Sequence, residues 1–215
     1  MNRILVTGSN GQLGSALKKQ SADFENLKIT FVDVEELDLT NEHSVNRHFD
    51  NNRYAYIINC AAFTAVDQAE KNPEAAFAVN AAVPERLGSI CQLFSTRLIH
   101  ISTDYVFSGN YNIPYVEDDV TDAVNLYGKS KLEGEKALWS NTNAMIIRTS
   151  WLYSEFGSNF LKTMIRLSKE RKELGVVFDQ IGCPTYAGDL ASAILTIIEQ
   201  SEKKGPHARG GVRLR

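Results

Sequence analysis

The chain has 215 residues, enough for one sizeable domain or a domain with a small appendage, and 43% hydrophobic with 23% charged residues suits a globular protein with a full core. A net charge of −3 leaves no basic footprint for nucleic acid or an anionic membrane surface. No apolar run reaches membrane-span length, and the N-terminus lacks a signal peptide's basic-then-apolar layout, so a cytoplasmic protein is expected. Cys60, Cys91 and Cys183 are far apart in apolar surroundings and read as buried free thiols, and the four histidines form no metal pattern. His100, inside an apolar run, reads as a satisfied core residue.

Residues 3–7 form a short β-branched apolar run that ends at Gly8, the mark of a strand buried on both faces. Gly8-Ser9-Asn10-Gly11-Gln12-Leu13-Gly14 follows at once and leads into an expected helix over 11–19. Such glycines let the backbone turn tightly and approach a ligand, while the helix N-terminus offers free N–H groups to a pyrophosphate. A second strand, 28–33, carries Asp33 at its end, where a carboxylate can accept hydrogen bonds from a ribose. An amphipathic helix over 41–49 and a strand over 56–59 come next, the latter ending in the small residues Cys60-Ala61-Ala62. Helical stretches over 65–71 and 73–94 follow, with an interruption expected near Pro84.

The strand expected over 97–102 leads to Thr103-Asp104-Tyr105 at its carboxyl edge, the side on which open α/β sheets bind ligands. Residues 108–124 read as a long functional loop. Tyr127 and Lys131 then open a helix that continues to Leu138. Residues four apart share a helix face, so the phenol and the ammonium lie side by side. A neighbouring cation favours the phenolate, so Lys131 is expected to pull the Tyr127 pKa down from about 10 towards the range of a working acid or base. After the strand 144–148 the alternation of strand and helix stops. A helix over 159–172, a strand over 175–178 and a helix over 188–199 read as a smaller lobe, with Leu161, Met164, Ile165 and Leu167 as core.

The fold expected is α/β: a Rossmann-type doubly wound parallel sheet with a small, truncated C-terminal substrate lobe. The divisions are a dinucleotide-binding domain over 1–148, a partial substrate lobe over 149–200 and an unfolded tail over 201–215. Thr103, Tyr127 and Lys131 together with the glycine turn resemble the extended short-chain dehydrogenase/reductases. Longer stretches narrow the likeness: 59–70, 102–107, 125–131, 148–153 and 179–185 resemble the dTDP-4-dehydrorhamnose reductase family.

That resemblance implies NADPH- or NADH-dependent reduction of the 4-keto group of dTDP-4-dehydro-L-rhamnose to dTDP-L-rhamnose. It implies Tyr127 as proton donor, Lys131 as the group on the nicotinamide ribose, and Thr103 as a hydrogen-bond partner of the keto oxygen. Gly8, Gly11, Gln12, Leu13 and Gly14 would meet the pyrophosphate, Asp33 the adenosine ribose, and Asp38 and Leu39 the adenine. Ala62, Phe63 and Thr64 would line the cofactor, while Asp104, Tyr105 and Trp151 would face the dTDP-sugar.

The family continues past residue 215, so an incomplete sugar pocket is expected, with uncovered apolar faces on the helices at 159 and 188. Some members pair as homodimers around magnesium held by acids. Ala16, read as lying on an exposed early turn, offers no ligand there, and no metal site is expected. The rival readings are another sugar-nucleotide reductase or epimerase of the same fold, and a non-catalytic dinucleotide-binding regulatory subunit.

Overall fold

Short runs of Ile, Val and Leu with no polar alternation must be covered on both faces, and five of them lie side by side as a parallel sheet in the computed structural model, which describes residues 3–141, 143–177 and 179–203. They are β1 (Arg3–Thr7), β2 (Lys28–Val32), β3 (Tyr56–Asn59), β4 (Arg97–Thr103) and β5 (Ala144–Thr149), in the spatial order β2-β1-β3-β4-β5. The chain runs outward from β1 to β2 and then returns to the other side of β1. The β1/β3 boundary is therefore the switch point at which doubly wound sheets open a crevice.

Alternate side chains enter two separate cores. Leu5, Ile57 and Leu98 face α2 (Glu42–Asn51), α5 (Val83–Leu93) and α6 (Leu126–Leu138), meeting Phe49, Leu87 and Leu138. Ile4, Val6, Ile58 and Ile99 face the opposite way, onto α1 (Gln12–Gln20) and the last helix. Between β3 and α5 lie α3 (Val66–Lys71), α4 (Pro73–Phe77) and a π-helical turn over Ala78–Ala82. The interruption expected near Pro84 is instead this turn. Its i→i+5 pattern steps over the N–H that Pro84 lacks, and the helical path continues.

After β5 come β6 (Leu152–Tyr153), α7 (Phe160–Glu170), β7 (Thr185–Tyr186) and α8 (Ala187–Lys203), with β6 and β7 paired parallel. Several expectations are corrected here. Helix α8 is not uncovered: Ala191, Ile194, Leu195 and Ile198 are fully buried in the second core, and Gln20 Nε2 donates to Gly188 O at 2.7 Å. Ala16 is buried in that same core. Helix α7 buries no residue, and Leu161 and Ile165 are exposed while Met164 and Leu167 are only half-covered, because no described element lies on its apolar side. Residues 175–177 form no strand, Phe178 lies outside the described residues, and Cys183 is exposed. Of the expected tail, Ser201–Lys203 continue α8, and 204–215 lie outside the described residues.

Candidate active site

The glycine turn joins β1 to α1 at the switch point. Gly8 has φ +65, and a Cβ there would stand 2.6 Å from Ala61 N, so the turn tolerates no side chain. A Cβ on Gly14 would stand 2.3 Å from Gly8 O, which is how the helix packs against the turn. Gly11 is the N-cap and no side chain caps the helix, so the backbone N–H groups of its first turn are available to an anion. Asp33 lies at the lip: its Oδ2 accepts from Asn10 N at 2.7 Å and its Oδ1 from Val34 N at 2.9 Å. A tight glycine cradle, an uncapped helix N-terminus and an adjacent carboxylate fit a dinucleotide, pyrophosphate against amides and ribose against carboxylate.

Asn125 sets the start of α6 by accepting Gly128 N at 2.7 Å, which brings Tyr127 and Lys131 onto one inward face. The Tyr127 hydroxyl lies near Thr103 at the end of β4, close enough for the Thr103 hydroxyl to favour the phenolate. Thr103 Oγ1 also donates to Asp104 Oδ1 at 3.1 Å and accepts from Tyr105 N at 3.2 Å, while Ser150 Oγ holds Asp104 Oδ2 at 2.8 Å. Thr103, Asp104, Tyr105 and Tyr127 thus form one constellation, and the Tyr105 and Tyr127 rings meet edge to face at 5.5 Å.

The electrostatics differ from the expectation. Lys131 is 2% exposed and its Nζ donates to Ile101 O at 2.6 Å. Burial lowers its pKa to about 8, against the attraction of Glu135. The Tyr127 phenol is not drawn down by Lys131. Burial pushes it up to about 12, the Thr103 hydrogen bond works the other way, and the Asp104 carboxylate and Tyr105 add to the rise. A phenolate excluded from water is costly, and that cost sets the direction of the shift. The consequence is a phenol that carries its proton throughout the neutral range, the state required of a proton donor.

Two supporting residues were not singled out from the sequence. Asn80, fully buried, accepts from Phe63 N and donates to Phe63 O, both at 2.9 Å, and its Nδ2 also reaches Ser130 Oγ at 3.0 Å. It clamps the loop after β3 to the helix that bears Tyr127. The one signal was a lone amide in the apolar run Ala78-Val79-Asn80-Ala81-Ala82. Ser150 is the second, through its bond to Asp104.

The remaining expected residues have different settings. Phe63 packs beside Tyr127 and Tyr105, while Ala62 is half-buried and Thr64 exposed. The Asp38 carboxylate is engaged by Thr40, through the backbone N at 2.9 Å and the hydroxyl at 2.6 Å, which lowers its pKa. Leu39 is core, and its carbonyl accepts from Arg86 at 2.6 Å. The Gln12 side chain bonds Leu152 O instead of facing its own turn. Trp151 holds φ +49, a strained value for a bulky residue, with its ring 5.7 Å from Phe160 and against Gly182. His100 is half-satisfied: one ring nitrogen meets the Asn59 amide at 3.1 Å, and Nε2 has no partner among the described residues. Among the described residues no cluster of His, Cys, Asp or Glu could hold a metal, and no helix is long and apolar enough to cross a membrane.

Residues 1–211 match the family described as RmlD substrate binding domain. The chain is 44% identical over 201 residues to dTDP-4-dehydrorhamnose reductase of Aggregatibacter actinomycetemcomitans, covering 93% of this chain and 68% of that one. It is 45% identical over 193 residues to the reductase of the same name from Escherichia coli K12, covering 87% and 64% respectively. The chain therefore spans about two thirds of the length of these relatives. A crystal structure of dTDP-4-dehydrorhamnose reductase from Bacillus anthracis, in complex with NADP, superposes with a TM-score of 0.86 at 43% identity, covering 92% of this chain and 71% of that one. UDP-glucose 4-epimerase from Brucella ovis, at 18% identity and a TM-score of 0.78, shares the fold. By these matches the chain belongs to the dTDP-4-dehydrorhamnose reductase family.

Proposed function

We propose that this protein reduces the 4-keto group of dTDP-4-dehydro-L-rhamnose to dTDP-L-rhamnose in the cytoplasm, with NADPH or NADH as reductant. The observation that carries the reading is the buried, protonated Tyr127 phenol near Thr103, one helical turn from Lys131, in a fold that also has a glycine turn built for a dinucleotide. The names of the relatives and the NADP in the Bacillus anthracis structure support it.

The dinucleotide, when bound, supplies a hydride to the keto carbon. Gly11, Gln12 and Leu13 would hold its pyrophosphate through backbone N–H groups, Asp33 its adenosine ribose, and Lys131 its nicotinamide ribose. As negative charge grows on the keto oxygen, Tyr127 gives up its proton to it. Thr103, whose hydroxyl acts on the Tyr127 phenol, is positioned to turn its own proton from Asp104 to the same oxygen. Ser150 keeps the Asp104 carboxylate supplied with a donor during that exchange. Asp104, Tyr105 and Trp151 face the sugar nucleotide.

Dinucleotide oxidation in the presence of the keto sugar nucleotide is the test. Tyr127→Phe keeps the ring and removes the proton, so turnover should fall by about 10²-fold or more while dinucleotide still binds. Near-parental turnover in that variant removes Tyr127 from the role. An epimerase would interconvert sugars without net consumption of dinucleotide.

A further inference from the structure

Gln12 belongs to the glycine turn, yet both ends of its amide are used elsewhere. Its Nε2 donates to Leu152 O at 3.3 Å, and its Oε1 accepts from Ser154 Oγ at 3.1 Å and from Asn159 Nδ2 at 2.9 Å. These partners are themselves interlocked. Ser154 is 5% exposed and its Oγ accepts from Phe156 N at 3.1 Å. Asn159 donates to Ser154 O at 2.9 Å and caps α7 by accepting from Lys162 N at 2.9 Å. A continuous run of hydrogen bonds thus leads from the phosphate turn to the first turn of α7.

Helix α7 has little else to hold it. No residue in it is buried, so its position rests mainly on the bonds at its N-terminus and on the contact of Phe160 with Trp151. A segment with so little burial opens at low free energy, and a ligand that orders its anchor stabilises it. Elsewhere, Lys19 meets Glu155 at 2.7 Å and the Tyr186 hydroxyl reaches the same carboxylate at 3.1 Å, both through exposed side chains that contribute little, while Leu152 and Phe156 anchor the segment's base in the second core. Gly157 approaches closely, with a Cβ there coming within 3.4 Å of Gln12 Cγ, so the segment is seated directly on this side chain.

Resting on the functional reading above, we propose that Gln12 is a positioning residue that latches residues 152–159 and the start of α7 to the phosphate turn. A pyrophosphate that fixes the Gln12 backbone then fixes the flank of Trp151, where the sugar nucleotide is expected. Dinucleotide and sugar nucleotide bind with positive cooperativity as a result.

Two measurements on the whole chain test this, using Gln12→Leu, Ser154→Ala and the double variant. In the first, hydrogen exchange over residues 152–165 is followed with and without NADPH. The parent should show slowed exchange when NADPH binds, and each variant should lose most of that slowing. In the second, dTDP-L-rhamnose is titrated with and without saturating NADP. The parent should bind it about tenfold more tightly with NADP present, within the usual range of coupling between sites, and the variants should lose that factor. In turnover, the sugar-nucleotide KM should rise more than kcat falls. The double variant should be no worse than Gln12→Leu, because the two side chains act through one bond.

Equal slowing in parent and variants overturns the proposal, as does the absence of slowing in the parent. If Gln12→Leu fails to fold, Ser154→Ala decides, since it leaves the turn intact. A parent that binds NADPH but consumes none with the keto sugar overturns the functional reading instead, and the exchange measurement still judges the latch.

Discussion

Replacing Lys131 with methionine should stabilise the fold while removing function. Lys131 is 2% exposed, and burial holds its pKa near 8 where 10.5 is ordinary. Keeping a proton on it at pH 7 therefore costs the folded state about 3 kcal/mol relative to the unfolded chain. The sign follows from proton counts. Between pH 8 and 10.5 the unfolded lysine binds more protons than the folded one, so stability rises with pH across that window. Methionine has similar length and no charge, so Lys131→Met removes the cost. It also strips a donor from Ile101 O, bonded at 2.6 Å in the parent, a loss of about 1–3 kcal/mol. The net expectation is a gain of about 1 kcal/mol at neutral pH, or about 2–4 °C in Tm for a domain of this size. Denaturant unfolding of both proteins from neutral pH to about pH 10 would measure it, and their difference cancels the other titrating groups. The gap should close and then reverse as the parent loses its buried proton. A variant that is about 2 kcal/mol less stable at pH 7, with a parent difference flat across the window, would falsify the account of Lys131 as a strained buried cation.

Three further outcomes are expected. Dinucleotide affinity should weaken as pH rises through about 8, because Lys131 then loses the charge that meets the ribose; an affinity constant to pH 9.5 would remove Lys131 from that contact. NADH and NADPH should serve within about one order of magnitude, or 1.4 kcal/mol, because Asp33 is followed by Val34, Glu35 and Glu36 with no arginine to meet a 2′-phosphate. A hundredfold preference for NADPH in parallel titrations would contradict this. In Gly128→Ala, the new Cβ would stand 2.2 Å from the Tyr105 carbonyl, so α6 must move off the Thr103 strand. Overpacking of that kind costs about 1–3 kcal/mol, and turnover should fall at least tenfold; parental turnover would mean Tyr127 does not need its present seat.

The parts of the site that depend on local chemistry were legible from the chain alone. The apolar runs announced the buried strands, Gly8 and Gly14 occupy positions that exclude a Cβ, and Asn125 caps a helix whose period brings Tyr127 and Lys131 together. What was missed lives in contacts between distant segments. Spacing puts Lys131 near Tyr127 but says nothing about water, and it is the loss of water that sets both pKa values. The apolar periods of α7 and α8 look alike, yet only α8 finds α1 and the sheet to cover it. Asn80 carries no motif, because its role is defined by Phe63 and Ser130, which are 17 and 50 residues away.

The π turn over Ala78–Ala82 is, in effect, a helix with one residue too many. An α-helix advances about 100° per residue, so one surplus residue rotates everything after it by that angle relative to everything before it. On one side of the insertion Asn80 points at the loop after β3, and on the other Val83 and Leu87 enter the first core. A straight helix could satisfy one of these demands and not both. Straightening this turn without shortening the chain would put Asn80 and Leu87 out of phase, and the chain would have to choose between its core and the loop beside Tyr127.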